Sequence, residues 1–413
     1  MTGSGQSERA RVVIAGGGIA GLEALLALND LAADSLDLTL VAPEPDFVYK
    51  PLTVDEPFSQ TPAERRELEP LARELGARFV QQPLAAVRPD DRAVALGDGS
   101  ELEYDALAVC VGGRVRPVYT EAVTFWATNE RLEIRDLLEQ AAASASKRLA
   151  FVVPPGVTWS LPLYELALMS EREARIAGSG EVELLLVTPE SAPLVLFGEQ
   201  ASQAVAELLK ARGIGVRAGA HVSEADGGLW ITPGHERLVA GAAIALPVID
   251  GPAIPGLPVD EGGFIPIDEH ARVKGADGVY AAGDGTSFPI KQGGIGTQQA
   301  DAAAEHIAAR FAGGLDPRPF RPVLRGKLIT GDETLSMLAN VAGGAGEGVA
   351  TVDYLWWPPH KVSGRYLAPY LVGAAPYQDP EPPGRSLDVE VALPTEWHRE
   401  PMALDPYAPP PGS

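Results

Sequence analysis

The hydrophobic pattern is clearest at the start of the chain. Arg11-Val12-Val13-Ile14-Ala15 is a short β-branched run bounded by glycine, the pattern of a buried strand. It leads into Gly16-Gly17-Gly18-Ile19-Ala20-Gly21, then into a Leu/Ala-rich stretch from Leu22 to Leu31 that predicts a helix. Leu36 to Val41 is a second apolar run of strand length. The same reasoning predicts buried strands within Tyr104–Gly113, Leu149–Val153 and Gly278–Gly285, the last ending in Gly283-Asp284. Lys291-Gln292-Gly293-Gly294 opens an Ala-rich helix running to about Phe311 and closed by Gly313-Gly314. After Gly314 the chain becomes rich in proline and aromatics, including Trp356-Trp357 and Tyr366 to Leu371, and from about Gln378 it reads as an extended tail.

A strand, a Gly-x-Gly-x-x-Gly turn, a helix and a second strand within about thirty residues predict a dinucleotide-binding unit. Each glycine has a mechanical reason. Gly16 permits the tight turn, Gly18 admits a pyrophosphate to the backbone, and Gly21 lets helix and strand pack closely. The helix N-terminus then offers unpaired N–H groups and a positive dipole end. An acid is expected at the end of the second strand to hold a ribose hydroxyl. Ala42 occupies that place and Glu44 is the nearest carboxylate, so Glu44 is either a displaced ribose ligand or a solvated loop acid.

Composition narrows the function classes. The 413 residues, 46% hydrophobic and 22% charged, suit two or three folded domains. A net charge of −23 disfavours nucleic acid and simple adsorption to anionic lipid. Cys110 is the one cysteine, so no intramolecular disulfide can form, and its apolar strand predicts a small core residue. The six histidines show no metal-ligand spacing and read as loop or surface residues. No signal peptide or membrane-spanning run is expected, which makes a cytoplasmic protein the default.

The segments around Gly16–Gly21, Tyr104–Gly113 and Gly278–Gly285, in this order, resemble the FAD-binding segments of the pyridine nucleotide-disulfide oxidoreductase superfamily. Within it the chain is most similar to sulfide:quinone oxidoreductases, flavocytochrome sulfide dehydrogenases and type II NADH dehydrogenases. Phe47 to Leu52, Val187 to Glu190 and Phe197-Gly198 also resemble segments of those enzymes. The resemblance implies an α/β fold of two doubly wound, three-layer dinucleotide-binding domains, one inserted in the other. An FAD domain would occupy residues 9–120 and 262–315, a second domain 121–261, and a C-terminal cap or interface region 316–413.

It further implies noncovalent FAD held by Gly16, Gly18, Ile19, Ala20, Gly21, Glu44, Lys50, Gly112, Gly283, Asp284 and Gly294, with Lys50 standing where flavocytochromes carry a flavin-linking cysteine. Lys291 or Lys50 would stabilise negative charge on reduced flavin, and each also reads as a surface lysine. Glu165 matches a glutamate of type II NADH dehydrogenases that could relay a proton, or is an ordinary first-turn helix acid. Gln298 matches one glutamine of a quinone-contacting helix motif, the other being replaced by Gly294.

Two departures matter. After the strand Leu149–Val153, Pro154-Pro155-Gly156-Val157-Thr158-Trp159 keeps one glycine and removes N–H donors, so orthodox NAD(P)H binding is impaired. With Cys110 alone, cysteine-mediated sulfide oxidation is also disfavoured. The expected function is therefore FAD-dependent electron transfer from a small donor to a quinone or other small acceptor. An NAD(P)H dehydrogenase with an altered nucleotide pose and a flavin-binding scaffold or sensor without turnover are the alternatives. The C-terminal region would cover the flavin or form a homodimer or peripheral membrane face, Trp356 and Trp357 either walling a channel or packing as core aromatics.

Overall fold

The computed structural model describes residues 9–59, 62–126, 132–178, 181–340, 349–353, 355–356 and 358–376; Trp357 and the expected tail from Gln378 lie outside them. The first domain begins with β1 (Ala10–Ala15), α1 (Ile19–Ala32), β2 (Leu36–Ala42), β3 (Arg78–Gln81) and β4 (Ala106–Val109). The second contains β5 (Val123–Thr124), α2 (Ile134–Ala143), β6 (Arg148–Val152), α3 (Leu161–Ile176), β7 (Glu183–Val187), α4 (Glu199–Ala211), β8 (Gly215–Arg217) and β9 (Ala242–Ala245). The chain then returns to the first domain with β10 (Val279–Ala281) and α5 (Gly293–Phe311).

Both domains are built on a five-stranded, wholly parallel sheet, in the orders β10-β4-β1-β2-β3 and β5-β9-β6-β7-β8. Parallel strands are covered on both faces, which is why Val12, Ile14 and Phe151 sit in uninterrupted apolar runs and are fully buried. One face of the first sheet packs on α1 and α5. The other is covered by an antiparallel meander, Leu84–Arg88, Ala93–Leu96 and Glu101–Glu103. The second domain repeats this plan, with helices on one face and the meander His221–Thr232 and Glu236–Arg237 on the other. The third layer of each domain is thus partly a meander, which the local sequence pattern did not separate from a helix layer.

The chain leaves the first domain at Arg114–Arg116 and returns through Val248–Asp250, the two segments pairing antiparallel. The C-terminal region forms the antiparallel sheet β11 (Val323–Ile329), β12 (Thr334–Asn340) and β13 (Val349–Thr351), followed by the short helix α6 (Leu367–Leu371). β11 runs between α5 of the first domain and α3 of the second. Among the described residues no helix is long and apolar enough to cross a membrane.

Candidate active-site cleft

The glycine turn divides its work among its members. Gly16 has φ +124°, and a Cβ there would lie 2.2 Å from the carbonyl oxygen of Cys110. A Cβ on Gly21 would lie 1.8 Å from the carbonyl oxygen of Gly16, so helix and turn touch there. Gly18 differs: a Cβ would meet no protein atom within 4 Å, although its φ of −89° and ψ of −166° suit any residue. Packing explains the first two glycines, and at the third the backbone is open to an outside group. The N-terminus of α1 has no side-chain cap and no acid in its first turn, leaving N–H donors for an anion.

These residues open onto a continuous cleft of about 2670 Å³ between the domains. Gly16, Gly18, Ile19, Ala20, Glu44, Lys50, Gly112, Gly283 and Asp284 all line it, as does Lys291. Glu44 is exposed just beyond the end of β2, at the cleft wall. Asp284 is half-buried, and no described side chain or backbone group donates a hydrogen bond to its carboxylate. Burial pushes its pKa up, with Lys291 and Lys50 opposing. A carboxylate in a cleft without a protein donor suits a polyol hydroxyl. Together with the open space at Gly18, this shows that the residues present fit FAD.

Lys291 is not a surface lysine. Its Nζ donates to the carbonyls of Thr286 at 2.6 Å and Phe288 at 2.8 Å and lies 3.7 Å from the centre of the Phe264 ring. Burial lowers its pKa to about 8, with Asp284 and Asp260 opposing. Beside it, α5 begins at the cleft. Gln292 caps the helix, its Oε1 accepting from the Ile295 N–H at 2.8 Å, and Gly293 and Gly296 line the cleft.

Two expected contacts are placed differently. Gly294 lies behind the cleft, where a Cβ would sit 2.9 Å from Gln292 Oε1. The Gln298 amide is turned toward β11: Nε2 donates to Val323 O at 2.9 Å and to Gly294 O at 2.6 Å, and Oε1 accepts from Val323 N at 2.8 Å. Its donors and acceptor are thus engaged in bracing α5 against the C-terminal sheet. Sequence position on the helix does not reveal this, because the partner strand is twenty-five residues away.

Glu165 is fully buried on α3 and does not reach the cleft wall itself. Its Oε2 accepts from Lys361 Nζ at 2.5 Å and its Oε1 from the Ile329 N–H at 2.9 Å. Burial raises the Glu165 pKa and lowers that of Lys361, while their pairing opposes both shifts. Lys361 does line the cleft. It was missed because nothing local marks a lysine in a proline-rich loop as the partner of an acid 196 residues earlier.

Cys110 stands just past β4, 6% exposed, with burial pushing its thiol up to about 12. It is therefore a protonated core residue, as expected, although at the floor of the turn rather than inside the strand. In the second domain, the acid after β7 is turned inward. Glu190 Oε2 accepts from Tyr164 Oη at 2.7 Å and Thr188 Oγ1 at 2.9 Å. Trp356 does not line the cleft, and its Nε1 donates to His360 O at 2.9 Å. The indoles that do line the cleft are Trp126, donating to Thr53 Oγ1 at 2.7 Å, and Trp159, packed edge-on to Phe197. Among the histidines, His306 departs from the surface expectation, sharing a 2.8 Å hydrogen bond with Tyr280 on the face of α5 toward β10.

The sequence matches the family described as pyridine nucleotide-disulphide oxidoreductase over residues 10–306. The chain belongs to this family. It is a flavin-dependent oxidoreductase, and the sulfide-quinone reductase of Aquifex aeolicus is 25% identical over 191 residues, 43% of each chain. The mitochondrial sulfide:quinone oxidoreductase of Dictyostelium discoideum is 30% identical over 105 residues, 25% of this chain and 23% of that one. The matched stretches thus span less than half of either curated relative. In three dimensions the Aquifex aeolicus sulfide:quinone oxidoreductase superposes with a TM-score of 0.74 at 20% identity, covering 83% of this chain and 86% of that one. NDH2 of Plasmodium falciparum, solved with NADH, gives 0.54 at 19% identity, covering 68% and 65%.

Proposed function

We propose that this member of the family is a noncovalent FAD oxidoreductase passing two electrons from a small donor to a quinone or other small acceptor, without a cysteine relay. One observation carries the reading. The open space at Gly18, the donor-free carboxylate of Asp284 and the start of α5 converge on one cleft whose single cysteine is buried and protonated.

Bound FAD would supply the two-electron chemistry. The Gly16–Ala20 turn would hold its pyrophosphate, Asp284 its ribityl chain and Glu44 a ribose hydroxyl. Lys291 and the α5 N-terminus place positive potential at one end of the cleft, where it stabilises developing negative charge. Lys361 holds a proton at the cleft wall, and Glu165 behind it keeps that ammonium charged against burial. The relatives' names mention sulfide and quinone. A quinone acceptor would bring this chain to a membrane surface as a peripheral protein.

A nicotinamide donor is disfavoured because Glu190, at the usual ribose-binding place of the second domain, already accepts two hydrogen bonds from its own domain. The test is reconstitution with FAD, followed by anaerobic mixing with sulfide, other small thiols, NADH and NADPH. The expected result is flavin absorbance bleached by a non-nicotinamide donor and restored by a quinone. Absence of flavin absorbance after reconstitution overturns the proposal, and bleaching by NADH within the mixing time transfers it to the dehydrogenase reading.

A further inference from the structure

Behind the cleft, the α1–α5 interface carries two acids, one inside apolar packing and one half-buried. Glu23 on α1 is fully buried, and Oδ1 of Asp301 on α5 is shielded from solvent with no partner. The two carboxyl groups interact across the interface, and a pair of acids so close together favours keeping a proton on one of them. Glu23 also accepts the Tyr366 N–H on Oε1 and the Leu367 N–H on Oε2, each at 2.8 Å. Two backbone donors favour the charge on Glu23, leaving the proton on Asp301.

The segment that Glu23 holds is the one that reaches the cleft. Val362 N donates to Tyr49 Oη at 2.8 Å, and Thr297 Oγ1 donates to Ser363 O at 2.9 Å. Gly364 lies so close that a Cβ would come within 2.3 Å of Glu23 Oε2. Just before these anchors stand Lys361 and Val362, both at the cleft, Val362 touching the start of α5 at Gly293. The other charged and titratable groups around the pair are Arg365 on the clamped segment, Glu305 on α5, Asp30 on α1, and Tyr49 and Tyr366. Arg365 is ion-paired with Glu305 at 2.9 Å, and Glu305 also takes Arg318.

We propose that Glu23 and Asp301 are positioning residues: sharing one proton, they clamp residues 362–367 and so hold Lys361 and Val362 at the cleft, and loss of the proton loosens the clamp. The part of this that concerns flavin chemistry rests on the function proposed above, whereas the clamp itself does not. Removing the proton puts two negative charges side by side at a largely buried helix interface, so burial holds the pair above the ordinary carboxylate range, with Arg365 opposing at Asp301. A raised value means that the clamp is complete at low pH and is lost as pH rises through it.

Hydrogen exchange of the Tyr366 and Leu367 amides in the full chain reads the clamp without donor, acceptor or turnover, so its failure is distinct from failure of the oxidoreductase assignment. Protection, corrected for intrinsic exchange, should fall with rising pH by up to about tenfold per unit, the limit for one proton. Asp301→Asn, whose amide donates to Glu23 at any pH, should flatten that dependence, and Glu23→Gln should lower protection throughout. Should the variants fail to fold, infrared spectra of the native chain decide. A protonated carboxylic acid carbonyl band should be present at neutral pH and disappear with the protection. An Asp301→Asn profile matching the native one, or no such band, overturns the proposal.

Discussion

A side chain added at Gly18 meets empty space, and one added at Gly21 meets a carbonyl oxygen at 1.8 Å. The two substitutions should therefore separate binding from folding. Gly18→Ala should leave the thermal unfolding of the flavin-free chain unchanged and weaken FAD binding by at least about tenfold. Gly21→Ala should cost roughly 1–3 kcal/mol of stability or more, seen as a lower Tm with or without FAD. Lys291 sets a pH limit of its own. Its ammonium is charged below about pH 8 and neutral above it, so the rate of flavin reduction should fall as pH rises through that value. Lys291→Gln should lower the rate and flatten that limb. In folding, the site acts in the opposite direction. Between about 8 and the ordinary 10.5 the native chain binds fewer protons than the unfolded one, so this group favours folding as pH rises.

At the scale of elements, α3 and the loop after β13 are joined by Glu165 and Lys361, 0% and 8% exposed in their side chains. Removing one member strands a buried charge. Lys361→Met should cost about 3–5 kcal/mol, and combining it with Glu165→Leu should recover most of that loss, measured by denaturant unfolding. The elements themselves were legible because their periodicity is local: β1, β2, β6, β10 and α5 all lie within a residue or two of the runs that predict them. Roles that depend on a distant strand were not. Gln298 sits on the predicted helix, yet β11 decides that its amide braces a sheet instead of facing a ligand.

For the molecule as a whole, the charge of −23 surrounds a cleft that carries lysines at Lys50, Lys291, Lys327 and Lys361. Long-range repulsion should slow an anionic donor at low ionic strength, so added salt should speed flavin reduction by an anionic donor and slow it by a cationic one. Stopped-flow rates across a salt series test this, and rates independent of salt for both donors would contradict it.

The sequence by itself determined the first strand–turn–helix–strand unit, the α5 helix and the inert cysteine, because strand pattern, backbone geometry and residue type are local properties; the second sheet was legible only through resemblance to the family. Tertiary structure alone decided that Lys361 pairs with Glu165, that Glu190 turns away from the cleft, and that Glu23 and Asp301 meet across α1 and α5. Those pairings depend on which surfaces pack together. The charge state of a buried group follows from its neighbours in space, and most of these neighbours lie far away along the chain.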